Sequence, residues 1–122
     1  MIYHITERSS WEQAQAAGLY SAPSLASEGF IHCSAIDQIL PVANSMFRGG
    51  GNLLVLCIDE SKLEARVLWE APVHPNPSAK PSATDDALFP HVYGAIEAAA
   101  VKKVVDLAEG DGGFELPAGL QG

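Results

Sequence analysis

The segment Glu28–Ser34, "EGFIHCS", sets His32 and Cys33 side by side in a short apolar run that Ser34 closes. Read as a strand, it sends alternate side chains to opposite faces, so His32 shares a face with Ser34, and Cys33 shares the other with Ile31. Cys33 then behaves as a small core hydrophobe, and a nucleophile–base dyad of Cys33 with His32 is geometrically poor. The same spacing recurs at His4 and Thr6 in "YHIT" (3–6) and at His91 and Tyr93 in "HVYG" (91–94). Three of the four histidines thus stand two residues before a hydroxyl side chain. If the three strands are neighbours, six side chains line one cleft of donors and acceptors suited to ribose hydroxyls, amides or carbonyls. The competing reading makes them the polar faces of half-buried strands.

Outward from this segment, "MIYHI" has strand character and "TERSSWEQAQAAG" carries helix signals: Ser10 with Gln13 as a capping box, Gly18 as a left-handed stop. "LYSAPSLASEG" reads as a turn-rich connection. Apolar residues from Ala35 to Phe47 recur at helical spacing behind Ser34 as N-cap. Pro41 predicts a kink there, or a short first turn with a new helix beginning near it. "LLVLCID" (53–59) is continuously apolar and suits a strand buried on both faces. "ESKLEA" reads as a turn, "RVLWE", "HVYG" and "AVKKVVDL" as strands, and "FEL" as an edge strand, while "IEAAAVKK" has equal helical propensity.

The chain has 122 residues, 48% of them hydrophobic, enough for one domain with a core and too short for two. No apolar run approaches the ~20 residues of a membrane helix and no signal-like segment opens the chain, so a soluble, cytoplasmic protein of bacterial type is expected. Two cysteines, Cys33 and Cys57, form no disulfide framework and are expected to be reduced. Fifteen acidic residues against seven scattered basic ones give a net charge of −8, which disfavours DNA and long RNA but leaves room for a small nucleotide held locally.

Other constellations carry less. No His-x-His, CxxC or HExxH spacing occurs, and no metal is expected. "RGGGN" lacks the lysine and hydroxyl of a phosphate loop. Glu70, closing a strand after Trp69, fits either an acid/base or ribose ligand or a solvated strand-end carboxylate, and Glu28 carries the same two readings. His74, among prolines, is expected to be exposed.

The order "YHIT", Trp11, "GLY", "EGFIHCS", "VAN", "LLVLCID", "WE", "LFPHVYG" resembles the bacterial family catalogued as domain of unknown function 952, from Ile2 to about Leu107. More distantly, "YHIT", Trp11, "GLY" and "FIHCS" resemble the first half of RNA 2′-phosphotransferases, which share the ADP-ribosyltransferase fold. That resemblance implies NAD as substrate, with His4 and Thr6 holding ribose and His32 and Ser34 positioning the nicotinamide side. His91 and Tyr93 stand where such enzymes place a catalytic glutamate, so His91, Tyr93 and Glu70 are the candidate catalytic groups. The expected molecule is a single α+β domain over 1–122. It has a curved mixed or antiparallel sheet of about five to six strands and two main helices in an ADP-ribosyltransferase-like arrangement. A long proline-rich loop at 71–88 and a weakly structured tail at 108–122 complete it. The expected activity is that of an NAD-binding transferase or glycohydrolase-like enzyme; the alternative is a non-catalytic module that binds a small molecule or protein.

Overall fold

The computed structural model describes residues 1–49, 51–71, 88–110, 113–117 and 120. The proline-rich segment, apart from its ends Ala71 and Leu88, and His74 within it, lie outside the described residues. Strand β1 (Ile2–Glu7) runs straight into helix α1 (Arg8–Ala17), and β2 (Leu19–Tyr20) and α2 (Pro23–Glu28) follow before β3 (Ile31–His32). A 3-10 turn at Ile36–Gln38 leads into α3 (Ile39–Met46), then β4 (Leu53–Ile58) and β5 (Val67–Glu70). The remaining strands are β6 (Phe89–Val92), β7 (Ile96–Glu97), β8 (Val101–Leu107), β9 (Glu109–Gly110) and β10 (Gly113–Phe114).

Among the described residues these strands form four small antiparallel sheets, ordered β1-β4-β8, β3-β6-β5, β2-β7 and β9-β10. The two three-stranded sheets meet through one isolated bridge, Tyr3 with Ser34. The α+β class therefore stands, but the expected curved mixed sheet of five to six strands does not, and no ADP-ribosyltransferase-like arrangement is found. Strands of only two residues, β2, β3 and β7, make too few ladder bonds to merge the sheets. With that arrangement falls what was carried over from it alone: the NAD-binding and transferase character it implied.

β4 is the centre of the molecule. All six of its residues are buried, because it pairs with β1 on one side and β8 on the other while its two faces meet different layers. Leu54, Leu56 and Ile58 join Ile2, Trp11 and Ile31 in one core. Leu53 and Val55 join Ile5, Ile39 and Ala43 in a second core beneath α3. A strand covered on both faces has no polar face to show, which is why its sequence is continuously apolar.

The helices begin and end for local reasons. α1 starts at Arg8, earlier than the Ser10 capping box predicts, because β1 delivers the chain directly and Arg8 N–H donates to the Asn52 carbonyl (3.0 Å). It ends where Gly18 takes the left-handed conformation (φ 83°) and its N–H returns to the Ala14 carbonyl. Replacing Gly18 with alanine is expected to cost about 1 kcal/mol, since a Cβ disfavours that φ; urea denaturation measures it, and an unchanged midpoint would contradict the cap.

The turn-rich reading of 19–29 missed α2, which has Pro23 at its start and Gly29 (φ 90°) at its end. Pro41 sits in the first turn of α3, where its missing N–H has no helical partner to lose, as the short-first-turn reading predicts. Ser34 is not the cap of this segment: Gln38 Oε1 accepts the Ala35 N–H at 2.8 Å instead. "ESKLEA" holds a single 3-10 turn at Glu60–Lys62, and "IEAAAVKK" resolves into β7, a 3-10 turn and β8. In the tail, β10 pairs with β9, and buried Phe114 is held where its N–H donates to Asn44 Oδ1 at 2.8 Å. Of the expected edge strand "FEL", Phe114 lies in β10. No helix among the described residues is long and apolar enough to cross a membrane.

Candidate functional site

The three histidines of these pairs separate into two places. His4 and Thr6 point to the same side of β1 as Ile2, into the first core, and both are buried. His4 Nδ1 lies 2.5 Å from the His32 carbonyl, and its Nε2 lies 2.8 Å from the Tyr20 hydroxyl. That hydroxyl is in turn 2.9 Å from Thr6 Oγ1. Burial pulls the imidazole down from 6.5 to about 4, so at neutral pH the ring carries one proton. A carbonyl only accepts, which places that proton on Nδ1 and leaves Nε2 to accept from Tyr20 O–H. Thr6 O–H then supplies the Tyr20 oxygen; the opposite sense would require a second proton on His4. Every polar atom of the His4 ring is used internally. The expectation that His4 and Thr6 present free groups to ribose meets a network already closed on itself.

The second place is the outer face of the β3-β6-β5 sheet. His32 stands directly opposite His91 in the β3-β6 register, and His91 opposite Leu68 in the β6-β5 register. His91, 1% exposed, donates from Nδ1 to Glu70 Oε1 at 2.9 Å, and the Tyr93 hydroxyl donates to the same oxygen at 2.5 Å. His91 and Tyr93 therefore do share a face, as period-two spacing predicts, and Glu70 joins them. The hydrogen bonds from Tyr93 and His91 hold the Glu70 carboxyl below its ordinary range. The Glu70 carboxylate in turn pushes the Tyr93 phenol up. His32 is half-exposed and donates from Nε2 to Glu28 Oε2 at 2.8 Å, four residues back at the end of α2. The His32 and His91 rings meet edge-on, with centroids 5.4 Å apart.

The remaining sequence-derived positions fall outside this face. Ser34 is buried, and its backbone forms the bridge to Tyr3, with N–H···O distances of 2.7 and 2.9 Å. Cys33 fills the first core, where burial pushes its thiol far up, and Cys57 is likewise a buried free thiol. Among the described residues no group of three or more His, Cys, Asp or Glu side chains is placed to hold a metal ion.

Two residues of these networks escaped sequence reading. Tyr20 joins His4 to Thr6 across 14 and 16 residues of chain, and no periodicity signals that contact. Phe30 packs its ring against His91, His32 and Tyr93. Its place in "EGFIH", two residues from both Glu28 and His32, was the available hint. Glu28 reaches His32 because Gly29 ends α2 and turns the chain into β3, so their spacing of four is not a helical pair and gave no signal of its own.

The structure is similar to that of protein CC0527 from Caulobacter crescentus. The crystal structure of that protein matches with a TM-score of 0.79 and 32% identity, over 98% of this chain and 96% of that one. Its solution NMR structure matches with a TM-score of 0.71 and 32% identity, over 93% and 89%. No curated protein matches the chain. The model of the family described as "Protein of unknown function (DUF952)" matches residues 5–104, nearly the span over which "YHIT", "EGFIHCS" and "LFPHVYG" carry the resemblance, and the chain belongs to that family.

Proposed function

We propose that the chain binds a small hydroxylated ligand, of the kind presented by the ribose of a nucleotide, on the face carrying Glu28, His32, Glu70, His91 and Tyr93. The observation that carries this reading is the sharing of Glu70 Oε1 between His91 and Tyr93, beside the separate His32–Glu28 pair. A carboxylate that orients an imidazole and a phenol on a partly exposed face supplies acceptors for ligand hydroxyls and groups able to hold or move a proton. Arg66 lies close by, its carbonyl accepting the Tyr93 N–H at 2.8 Å and its charge felt at the phenol, so a phosphate has a cation within reach of the same face. His4 and Thr6, spent on Tyr20 and on the His32 carbonyl, act beneath this face rather than on it.

NAD is the first probe because its riboses offer vicinal hydroxyls, and this choice rests on the side chains alone. In calorimetric titration, NAD, ADP-ribose or adenosine is expected to bind the parent protein. Glu70→Gln is expected to weaken that binding about tenfold or more, in line with ~1.5–3 kcal/mol for a hydrogen bond to a charged group. Absence of heat from all three ligands at millimolar concentration would remove the reading. A second reading, a binding module without catalysis, draws support from the closure of the His4 network, which leaves the acid–base groups on one side of the ligand only. Mass spectrometry of NAD incubated with the protein separates the two: released nicotinamide favours catalysis, unchanged ligand the module.

A further inference from the structure

We infer that Phe30 is the positioning residue of this face, fixing the plane of the His91 imidazole while Glu70 fixes its proton. The inference rests on the proposed site but makes a claim about the ligand-free protein. Gly29, in the left-handed conformation at φ 90°, ends α2 and turns the chain into β3, and Phe30, next in the chain, is 8% exposed. Its ring is stacked on His91 with centroids 4.1 Å apart and planes 17° from parallel. It meets His32 edge-on at 4.9 Å and Tyr93 at 5.3 Å. One phenyl ring therefore touches every ring of the candidate site.

The physical need for such a contact is geometric. The His91 ring turns about its Cβ–Cγ bond, and one hydrogen bond from Nδ1, to a carboxylate oxygen that also serves Tyr93, restrains that turn only over a range of angles. A near-parallel aromatic surface removes this freedom and sets where the opposite edge of the imidazole points. Offset or face-to-face contact is also favourable in itself for aromatic pairs at this separation. An aliphatic side chain of similar volume would fill the space without fixing the plane. The groups facing His91 are Glu70 from β5, Tyr93 after β6, His32 from β3 and Phe30 before it, with Glu28 behind His32 and Arg66 behind Tyr93. Phe30 is the one among them with no charge or hydrogen bond to offer, so its contribution is orientation.

The test compares Phe30→Leu with Phe30→Tyr by NMR. In the ligand-free parent, the His91 Nδ1–H proton is expected to be observable as a hydrogen-bonded ring proton, with a nuclear Overhauser contact between the Phe30 and His91 rings. Phe30→Leu is expected to broaden or abolish the Nδ1–H signal while leaving backbone resonances of β1, β4 and β8 in place, and Phe30→Tyr is expected to keep it. In calorimetry with whichever probe the parent binds, Phe30→Leu is expected to weaken affinity about fivefold, the scale of one aromatic pair, and Phe30→Tyr to restore it. A folded Phe30→Leu variant with an unchanged His91 signal would overturn the inference, as would loss of that signal in folded Phe30→Tyr. Should Phe30→Leu fail to fold, absence of the ring-to-ring contact in the parent overturns it and presence with the Tyr result upholds it. Failure of all probes to bind removes the proposed function and leaves the NMR result to decide the role of Phe30.

Discussion

Acidification is expected to destabilise this protein through His4 before its carboxylates are protonated. The folded-state value of His4 is depressed from 6.5 to about 4 by burial, so between those limits the unfolded chain binds a proton that the folded chain refuses. Stability rises with pH wherever the unfolded state binds more protons, so the contribution is intact above 6.5 and is lost as pH falls toward about 4. The shift corresponds to about 3 kcal/mol, at ~1.4 kcal/mol per unit.

Glu70 and Glu109, held low by hydrogen bonds from His91 and Tyr93 and from Gly49 and Arg48, act in a lower window. Their contribution is present above the ordinary carboxylate value and lost as pH falls through their depressed folded values. Denaturation midpoints measured across the His4 window should therefore fall for the parent and stay level for His4→Gln, which cannot titrate. A parent protein equally stable at both ends of the window, or a His4→Gln variant with the same slope, would contradict the closed network.

Leu56→Ala is expected to cost about 3 kcal/mol, within the ~2–5 kcal/mol range of buried leucine truncations. Leu56 is fully buried at the centre of β4, between β1 and β8, where neither flanking strand can close inward to fill a cavity. Its register partner Val104 on β8 is 36% exposed, and truncation there should stay within about 0.5 kcal/mol. Urea unfolding of the two variants, with slopes equal to the parent's, makes the comparison direct. A Leu56→Ala cost no greater than that of Val104→Ala would mean that β4 is not the central strand.

Local chemistry made much of the fold legible. The continuous run at 53–58 could belong only to an element with two covered faces, and β4 is one. Gly18 and Pro41 mark a helix end and a helix first turn because one tolerates a left-handed φ and the other lacks an N–H. Alternation in "FIHCS" placed Cys33 in the core, and alternation in "HVYG" placed His91 and Tyr93 on one face. What alternation cannot supply is the length of a strand. β3 covers only Ile31 and His32, so the ladder that a longer strand would have extended into one broad sheet stops, and the inferred arrangement stops with it.

The same limit governs the site. For His4 with Thr6 and His91 with Tyr93, sequence by itself determined which side chains share a face, since that follows from extended backbone geometry; for His32 and Ser34 it did not, because β3 ends at His32. Only the tertiary structure decided which faces are inside, because burial depends on what other elements cover them. His4 and Thr6 share a face as surely as His91 and Tyr93 do. The first pair lies under Tyr20 and closes into a neutral interior chain, while the second meets Glu70 at a partly open edge with Phe30 against the imidazole. That difference comes from contacts between residues far apart in the chain, and those contacts form only when the sheets and helices pack.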